Sequence, residues 1–174
     1  GITRIRGTVI GDGSRYDDEW AVGEWAPGVA NVEAGPYDAL LANDGRVRGQ
    51  SSVADDPNAG AAREFVRLLN QRDIRVDNGW GSGVASTLVP VLATVESAPL
   101  ADIVGQMLLA SANNTAEMLL KELGVATSNV GTRAAGIDAM TAALTSLRVP
   151  MEGVVLWAAF SFIRSVYEPF ATGP

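Results

Sequence analysis

Residues 111–124, SANNTAEMLLKELG, decide the expected fold because they carry the clearest helix signals in the chain. The first four of them favour turns and helix caps over helix interiors. Asn114 is the predicted cap of a helix, Glu117 stands where a capping box places its acidic partner, and Gly124 is the predicted end. We therefore expect a helix that starts abruptly after a polar turn.

A second helix is predicted immediately upstream. Apolar residues recur at helical spacing over 100–108, Pro99 is tolerated in a first turn, and Ser97 is the expected cap. The elbow between the two helices would hold a hydroxyl and a carboxamide on a rigid turn. There Ser111 can relay a proton and Asn113 can hydrogen-bond an amide substrate. A plain helix break with an Asn cap is the alternative.

Helices and short strands are predicted in the rest of the chain. One helix is expected over 57–72, with Asp56 as cap, Pro57 in the first turn and a buried face of Ala61, Phe65, Leu68 and Leu69. Another is expected over 132–147. Strands are predicted over 2–10, with a weak point at Gly7, and over 37–43, 74–76, 88–95 and 153–156. Residues 15–36 and 79–83 are predicted as loops.

The glycine-rich segments and an acidic cluster could each be a binding site, but each also has a simpler structural interpretation. Residues 11–13 and 79–83 are rich in glycine, but their spacing fits no phosphate-binding motif and favours ordinary loop glycines. An acidic cluster lies in the first loop, at Asp12, Asp17, Asp18 and Glu19. Its spacing differs from that of a calcium-binding EF-hand and favours a solvated acidic loop.

Four aromatic residues fall in or near irregular segments: Trp20, Trp25, Tyr37 and Trp80. They could line a groove for a carbohydrate or a peptide. The alternative is that they pin loops to a small core, which is the commoner role of aromatic residues in such segments.

The composition excludes several classes of function. The chain has 174 residues and a formal net charge of −7, which repels nucleic acids and anionic lipids at long range, so neither is an expected partner. Apolar runs such as 154–160 are too short for a membrane helix, so no transmembrane segment is expected. The first residues have neither the apolar run nor the cleavage site of a signal peptide.

Histidine and cysteine are absent, and Lys121 is the only lysine in the sequence. Catalysis by histidine or cysteine is therefore excluded, as are zinc sites built from histidines or thiolates, and no metal site is expected. Serine–lysine chemistry within the chain would have to use Lys121.

Two stretches together resemble one protein family. They are residues 99–124, with PLADIV at the start and SANNTAEMLLKELG at the end, and residues 1–16, with GITRIRG followed by GDGSRY. Both closely resemble the class C low-molecular-mass penicillin-binding proteins, the D-alanyl-D-alanine carboxypeptidases and endopeptidases of the peptidase S13 type. The first stretch is similar to the Ser-x-Asn region of that family and the second to the opening strand of its inserted domain.

The resemblance implies an α+β fold in two parts. Residues 1–95 would be a portion of the β-rich inserted domain, and residues 96–156 the helical part of the penicillin-binding (β-lactamase-like) transpeptidase domain. Residues 157–174 would be a divergent tail, because they depart from the family pattern. Matched residue by residue, Ser111 is the proton relay and Asn113 contacts substrate, with Ala112 where the family more often has Asp.

The complete family is implied to hydrolyse peptidoglycan stem peptides outside the cytoplasm, to bind β-lactams and to need no cofactor. Its nucleophile lies in a Ser-x-x-Lys motif, but here Met118 stands three residues before Lys121, and the Lys-Thr-Gly motif is also missing. We therefore expect an internal fragment with no nucleophile in this chain.

The alternative function is a non-enzymatic module that binds muropeptides or assembles with itself. A helical half without the rest of the family's core would expose apolar residues such as Leu108, Met118 and Leu119, which favours a homo-oligomer. The aromatic tail at 157–174 would be a further contact surface for another copy.

Without a Ser-x-x-Lys pair, the chain alone is expected to form no acyl-enzyme. The measurement is the intact mass of the chain after incubation with a β-lactam. The mass should stay unchanged, and a covalent adduct on any serine would contradict the prediction.

Overall fold

The computed structural model describes residues 1–23, 34–48, 52–152, 154 and 156. The elements over these residues are β1 (Arg4–Ile5), β2 (Val9–Gly11), a 3-10 turn (Asn43–Gly45), α1 (Pro57–Asn70), β3 (Arg75–Val76), β4 (Trp80–Ser82), α2 (Leu100–Ala110), α3 (Asn113–Ser128) and α4 (Arg133–Ser146). This mixture of helices and short strands is α+β, as the sequence predicts. No helix in this part of the chain is both long and apolar enough to cross a membrane.

The strands form two short parallel ladders on either side of Gly7. β1 pairs with β3 in the register Arg4↔Arg75, and β2 pairs with β4 in the register Val9↔Trp80. Parallel neighbours need a long crossover connection, and α1 lies within it. The strand predicted over 2–10 is thus present as β1 and β2, with the expected break between them.

Helix α1 begins as predicted. The Asp56 carboxylate accepts a hydrogen bond from the amide of Ala59 at 2.9 Å, with Pro57 at the first helical position. The predicted buried face is partly wrong, because Ala62 and Val66 are buried whereas Phe65 is 53% exposed. Small side chains let α1 approach β2 and β4 closely, which is the physical reason that alanines rather than a phenyl ring face the strands.

Two predictions in the first half of the chain are wrong. Residues 37–43 form no strand, because no described segment pairs with them; Tyr37 is fully buried, and the 3-10 turn begins at Asn43. Residues 79–83, predicted as a loop, contain β4. Hydrogen bonds with β2 stabilise this strand, and they cannot be inferred from the local glycine content.

The strand predicted over 88–95 is also wrong. These residues have no regular structure, and Leu88, Leu92 and Val95 are 92%, 87% and 94% exposed. A strand needs a hydrogen-bonded neighbour, and no segment among the described residues pairs with this one. The strand predicted over 153–156 falls partly on Gly153 and Val155, which lie outside the described residues.

Helices α2 and α3 are present where the sequence places them, but their caps differ. Pro99 rather than Ser97 is at the cap position of α2. Ala112 is at the cap position of α3, so the predicted capping box of Asn114 and Glu117 is wrong. Both of these side chains are buried instead, in contacts with other parts of the chain.

Gly124 does not end α3 as predicted, because the helix continues to Ser128; this glycine instead lies where α4 packs against α3. A Cβ on Gly136 of α4 would lie 2.0 Å from the carbonyl oxygen of Leu120, and one on Gly124 would lie 2.6 Å from that of Val130. No side chain fits at such distances, so both glycines are required by the close approach of the two helices. Helix α4 itself starts as predicted, with the Thr132 hydroxyl accepting a hydrogen bond from the amide of Ala135 at 3.2 Å.

A buried lysine joins the loop after β2 to α3. The Lys121 side chain is fully buried, and its Nζ donates to Asp17 Oδ1 at 2.5 Å and to the carbonyl oxygen of Glu19 at 2.7 Å. Nζ also lies 5.7 Å from the ring centroid of Tyr16 and 5.2 Å from that of Tyr37. A buried ammonium needs such partners to offset the loss of its hydration.

Two further ion pairs lie in the same interface. Arg15 Nε is 2.5 Å from Glu122 Oε1, and Arg133 Nη2 is 2.7 Å from Glu19 Oε1. The Tyr16 hydroxyl donates to Glu122 Oε1 at 2.8 Å. Arg15 holds the pKa of Glu122 below its usual value, whereas burial raises the pKa of Tyr16. The loop is therefore attached to α3 and α4 mainly by charge and hydrogen bonds.

Replacing Gly136 by Ala should destabilise the chain by about 1–3 kcal/mol, the usual cost of overpacking, because α3 and α4 would have to separate. Gly105→Ala is the matched control, since a Cβ on this glycine of α2 meets nothing within 4 Å. The control should be neutral or stabilising by up to about 1 kcal/mol. Urea unfolding measures the free energy of unfolding of the Gly136→Ala and Gly105→Ala variants. Equal changes in the two variants would contradict the packing argument.

Replacing Lys121 by Ala should destabilise the chain by about 3 kcal/mol, because it removes one partner of a buried ion pair. Arg4→Ala is the control: Arg4 pairs with Asp77 at 2.9 Å, but its side chain is 55% exposed. That loss of stability should be small, because exposed ion pairs are screened by water. Urea unfolding compares the Lys121→Ala and Arg4→Ala variants. A similarly small loss of stability in both would show that Lys121 does not hold the interface.

Candidate functional site

The predicted elbow is a left-handed turn at Ser111. Ser111 ends α2 with φ 51° and ψ 45°, and its amide donates to the carbonyl oxygen of Met107. The amide of Ala112 donates to the same oxygen at 3.0 Å. A left-handed conformation costs a residue with a side chain about 1–2 kcal/mol, and such strain is found at functional sites more often than elsewhere. Ser111 is exposed, so its hydroxyl is at the surface.

The next two residues are buried and begin α3. Asn113 is 5% exposed and Asn114 is 2% exposed. Asn114 Nδ2 donates to Asp44 Oδ1 at 2.7 Å, which joins α3 to the 3-10 turn Asn43–Gly45. Asn114 therefore connects two distant segments instead of capping the helix, and nothing in the sequence near either residue indicates this contact.

Ser111 and Asn113 line one cavity, which we call the elbow cavity. It has a volume of about 310 Å³ and is bounded mainly by apolar side chains of α2, α3 and α4, among them Met107, Leu119 and Met140. The structure thus brings the two predicted site residues to the same hollow. Of the three apolar residues expected to be exposed, Leu108 is 59% exposed, whereas Met118 and Leu119 are partly buried.

The face of α3 that is buried against the rest of the chain is largely polar, with Leu120 and Gly124 beside the polar residues. Glu117 and Lys121 are both fully buried there, one and two turns after Asn113. Burial, followed by the nearby charge of Glu117, raises the pKa of the Tyr37 hydroxyl. The sequence analysis missed this face as part of the site. The signal was present as polar residues four apart, at 113, 117 and 121, which lie on one side of a helix.

The acidic cluster of the first loop is divided among separate partners. Asp17 pairs with Lys121, and Glu19 pairs with Arg133. Asp12 accepts hydrogen bonds from the amides of Ser14 and Ala85, each at 2.8 Å. The Ser14 hydrogen bonds and the Ala85 amide hold the pKa of the Asp12 carboxyl below its usual value. Within the described ranges, no three carboxylate, histidine or cysteine side chains are grouped closely enough to hold a metal ion.

Comparison with known proteins connects the elbow to a family. A family model described as the D-Ala-D-Ala carboxypeptidase 3 (S13) family matches residues 36–159. A D-alanyl-D-alanine carboxypeptidase from Actinomadura sp. (strain R39) is 36% identical over 107 residues, which cover 60% of this chain and 20% of that protein. A carboxypeptidase from Mycobacterium tuberculosis is 27% identical over 149 residues, which cover 83% of this chain and 32% of that protein.

The chain spans between about a fifth and a third of the length of these relatives. The matched range nevertheless includes the elbow, the residues around the elbow cavity and the whole buried face of α3. Because the family model matches more than half of the chain, the chain belongs to the D-Ala-D-Ala carboxypeptidase 3 (S13) family, as the resemblance in its sequence predicts.

Proposed function

We propose that this chain contributes the Ser-x-Asn part of the active site of a serine-type D-Ala-D-Ala carboxypeptidase. The enzyme would act on peptidoglycan stem peptides outside the cytoplasm, and β-lactams would bind at the same site. The observation that carries the proposal is that Ser111 and Asn113 line one cavity, at a strained turn between two helices. The names of the family and of both relatives support the reaction class.

The reaction is acyl transfer, in which a serine activated by a lysine attacks the D-Ala-D-Ala peptide bond and water then releases the acyl group. Neither group of this pair is assigned to the chain. Ser111 is proposed to pass the proton from the nucleophile towards the departing amine, which its exposed hydroxyl can do as both donor and acceptor. Asn113 is proposed to hydrogen-bond the substrate amide from a fixed position at the start of α3.

Lys121 is unsuited to the role of catalytic base at the elbow. Its ammonium is fully buried and donates to Asp17 and to the backbone at Glu19. A catalytic lysine has to reach a nucleophile, whereas the Lys121 side chain is enclosed and its hydrogen bonds are made to the loop after β2. This arrangement supports the proposal that the nucleophile and its base come from outside this chain.

The burial of Asn113, Glu117 and Lys121 supports a precise position for the elbow. A group that transfers a proton or binds an amide must be held by surrounding contacts to be effective. Polar contacts hold the first turns of α3 on one side, while the elbow cavity lies on the other. The substrate-facing residues therefore stand at the boundary between a fixed polar face and an open hollow.

A chimera tests the proposal. Residues 36–159 of this chain would replace the corresponding segment of the Actinomadura relative, which would supply the rest of the active site. Release of D-alanine from a D-Ala-D-Ala peptide is measured with and without Ser111→Ala. Loss of the proton relay should lower kcat by about 10²–10⁴-fold, the usual contribution of general acid–base catalysis.

Ser146→Ala is the matched control, because Ser146 is an exposed serine whose hydroxyl donates only locally, to the carbonyl oxygen of Ala143 at 2.7 Å. It should leave kcat unchanged within about twofold. Equal activity of the Ser111→Ala chimera and the parent chimera would refute the role of Ser111. Asn113→Ala in the same chimera should raise KM as well as lower kcat.

A further inference from the structure

A groove lined by arginines lies away from the elbow, between α1, the turn Asn43–Gly45 and β4. Its inner part is a cavity of about 270 Å³, bounded by residues of the segment 42–48, by α1 and by Trp80. A shallower hollow of about 500 Å³ adjoins it and shares Arg63 and Trp80. We call the two together the arginine groove.

The inner cavity of this groove has a charge opposite to that of the whole chain. Its inner cavity is lined by four arginines and one carboxylate, namely Arg46, Arg48, Arg63, Arg67 and Glu64. The chain as a whole has a net charge of −7. Positive groups have therefore been gathered in a concave surface, where the field of each is strengthened by the low-dielectric walls.

Glu64 offsets only part of this charge. It forms a two-pronged ion pair with Arg67, with Nε–Oε2 at 2.8 Å and Nη2–Oε1 at 2.5 Å. Arg48 Nη1 lies farther away, at 3.9 Å from Glu64 Oε1. The Arg67 hydrogen bonds hold the pKa of Glu64 below its usual value, so the carboxylate stays ionised. Among the lining residues that the structure describes, one carboxylate stands beside four guanidinium groups, so this part of the cavity wall is cationic.

Arg63 and Trp80 form the centre of the groove. The Arg63 guanidinium lies 5.4 Å from the centre of the Trp80 ring, and the indole is 48% exposed. Stacking on an aromatic ring fixes the direction of a guanidinium while leaving its N–H donors available, and this geometry suits a carboxylate. The exposed remainder of the indole offers a flat apolar surface beside the charge.

The exposed indole of Trp80 distinguishes it from Tyr37 and Trp20, two of the other aromatic residues that the sequence analysis names. Tyr37 is fully buried, and Trp20 donates from Nε1 to Asp38 Oδ2 at 3.0 Å, so both anchor the loop that packs on α3. Trp25 lies outside the described residues. Of the two proposed roles for these aromatic residues, the anchoring role therefore fits Tyr37 and Trp20, and the groove role fits Trp80.

The outer hollow adds acceptors for hydroxyl groups. Asp55 and Asp56 line it, and Asp55 is exposed. A ligand with its anionic group at the arginines and its hydroxyl groups at the carboxylates would satisfy both ends. We propose that the arginine groove binds a carboxylate-bearing sugar, whose carboxylate pairs with Arg63 and whose ring lies against the exposed part of Trp80. This proposal is independent of the carboxypeptidase function, because it concerns binding at a different surface.

Three small probes separate the parts of the proposal. N-Acetylmuramic acid carries a lactyl carboxylate on a sugar ring, N-acetylglucosamine is the same sugar without that group, and lactate has a carboxylate without the ring. Binding to the whole chain is followed by the NMR shift of the tryptophan indole N–H signals, with Trp80→Phe assigning the signal of Trp80. N-Acetylmuramic acid should bind at least about tenfold more tightly than either of the other two, and higher salt should weaken it.

Variants locate the binding site. Arg63→Gln should weaken the binding of N-acetylmuramic acid by about tenfold or more, whereas Arg63→Lys should retain only part of the affinity, because the ammonium lacks the planar fork. Trp80→Ala should weaken binding by a similar factor, and because this variant lacks the indole, its binding is followed by the backbone amide shifts. Arg4→Ala is the control for loss of an exposed arginine elsewhere and should have no effect on binding. Because Arg63 and Trp80 are both exposed, the backbone NMR spectrum should confirm that these variants remain folded.

Several results would overturn the proposal. Equal binding of N-acetylglucosamine would show that the carboxylate has no part, and equal binding of lactate would show that the ring has none. Unchanged binding in the Arg63→Gln variant would place the ligand elsewhere. Failure of all three probes to shift the Trp80 signal would exclude a carboxylate-bearing sugar as the ligand of this groove.

Discussion

Burial of the Lys121 ammonium is the constraint on which the rest of the structure depends. A charge removed from water has to be offset by nearby acceptors, and here these come from the loop after β2, through Asp17 and the backbone at Glu19. The rings of Tyr16 and Tyr37 complete the surroundings. Because all four partners belong to the first part of the chain, one lysine on α3 fixes where that part lies against the helices.

This constraint buries polar residues of α3 that a surface helix normally exposes. The buried face of α3 carries Asn113, Glu117 and Lys121, while apolar residues such as Leu119 border the open elbow cavity. An amphipathic helix in a globular protein normally buries its apolar stripe. Local signals predict that α3 exists, but they do not predict that polar side chains lie in its buried face. The apolar wall of the elbow cavity then lies beside Ser111, where a substrate is proposed to bind.

Local signals predicted the features that depend on neighbouring residues. The cap of α1 at Asp56, the start of α4 near residue 132 and the break at Gly7 each depend on interactions within a few residues. The strands predicted over 2–10 and 74–76 are present, but other predictions that needed a distant partner failed. Strand β4 exists because β2 lies beside it, and residues 88–95 remain irregular because no described segment does. Gly124 resembled a helix end, but a contact from α4 determines its role.

In the candidate site, too, local sequence predicts some features, whereas distant contacts determine others. Motif similarity singled out Ser111 and Asn113, and their positions beside one cavity are compatible with the roles proposed for them. The link from Asn114 to Asp44 could not have been predicted, because it joins residues seventy positions apart. Asn43, Asp44 and Gly45 have φ values of 53°, 56° and 72°, and the first two pay a steric cost for this conformation. The hydrogen bond from Asn114 to Asp44 stabilises the turn, and the same bond holds the start of α3 in position. The same turn forms a wall of the arginine groove, so the two proposed binding surfaces share one structural element.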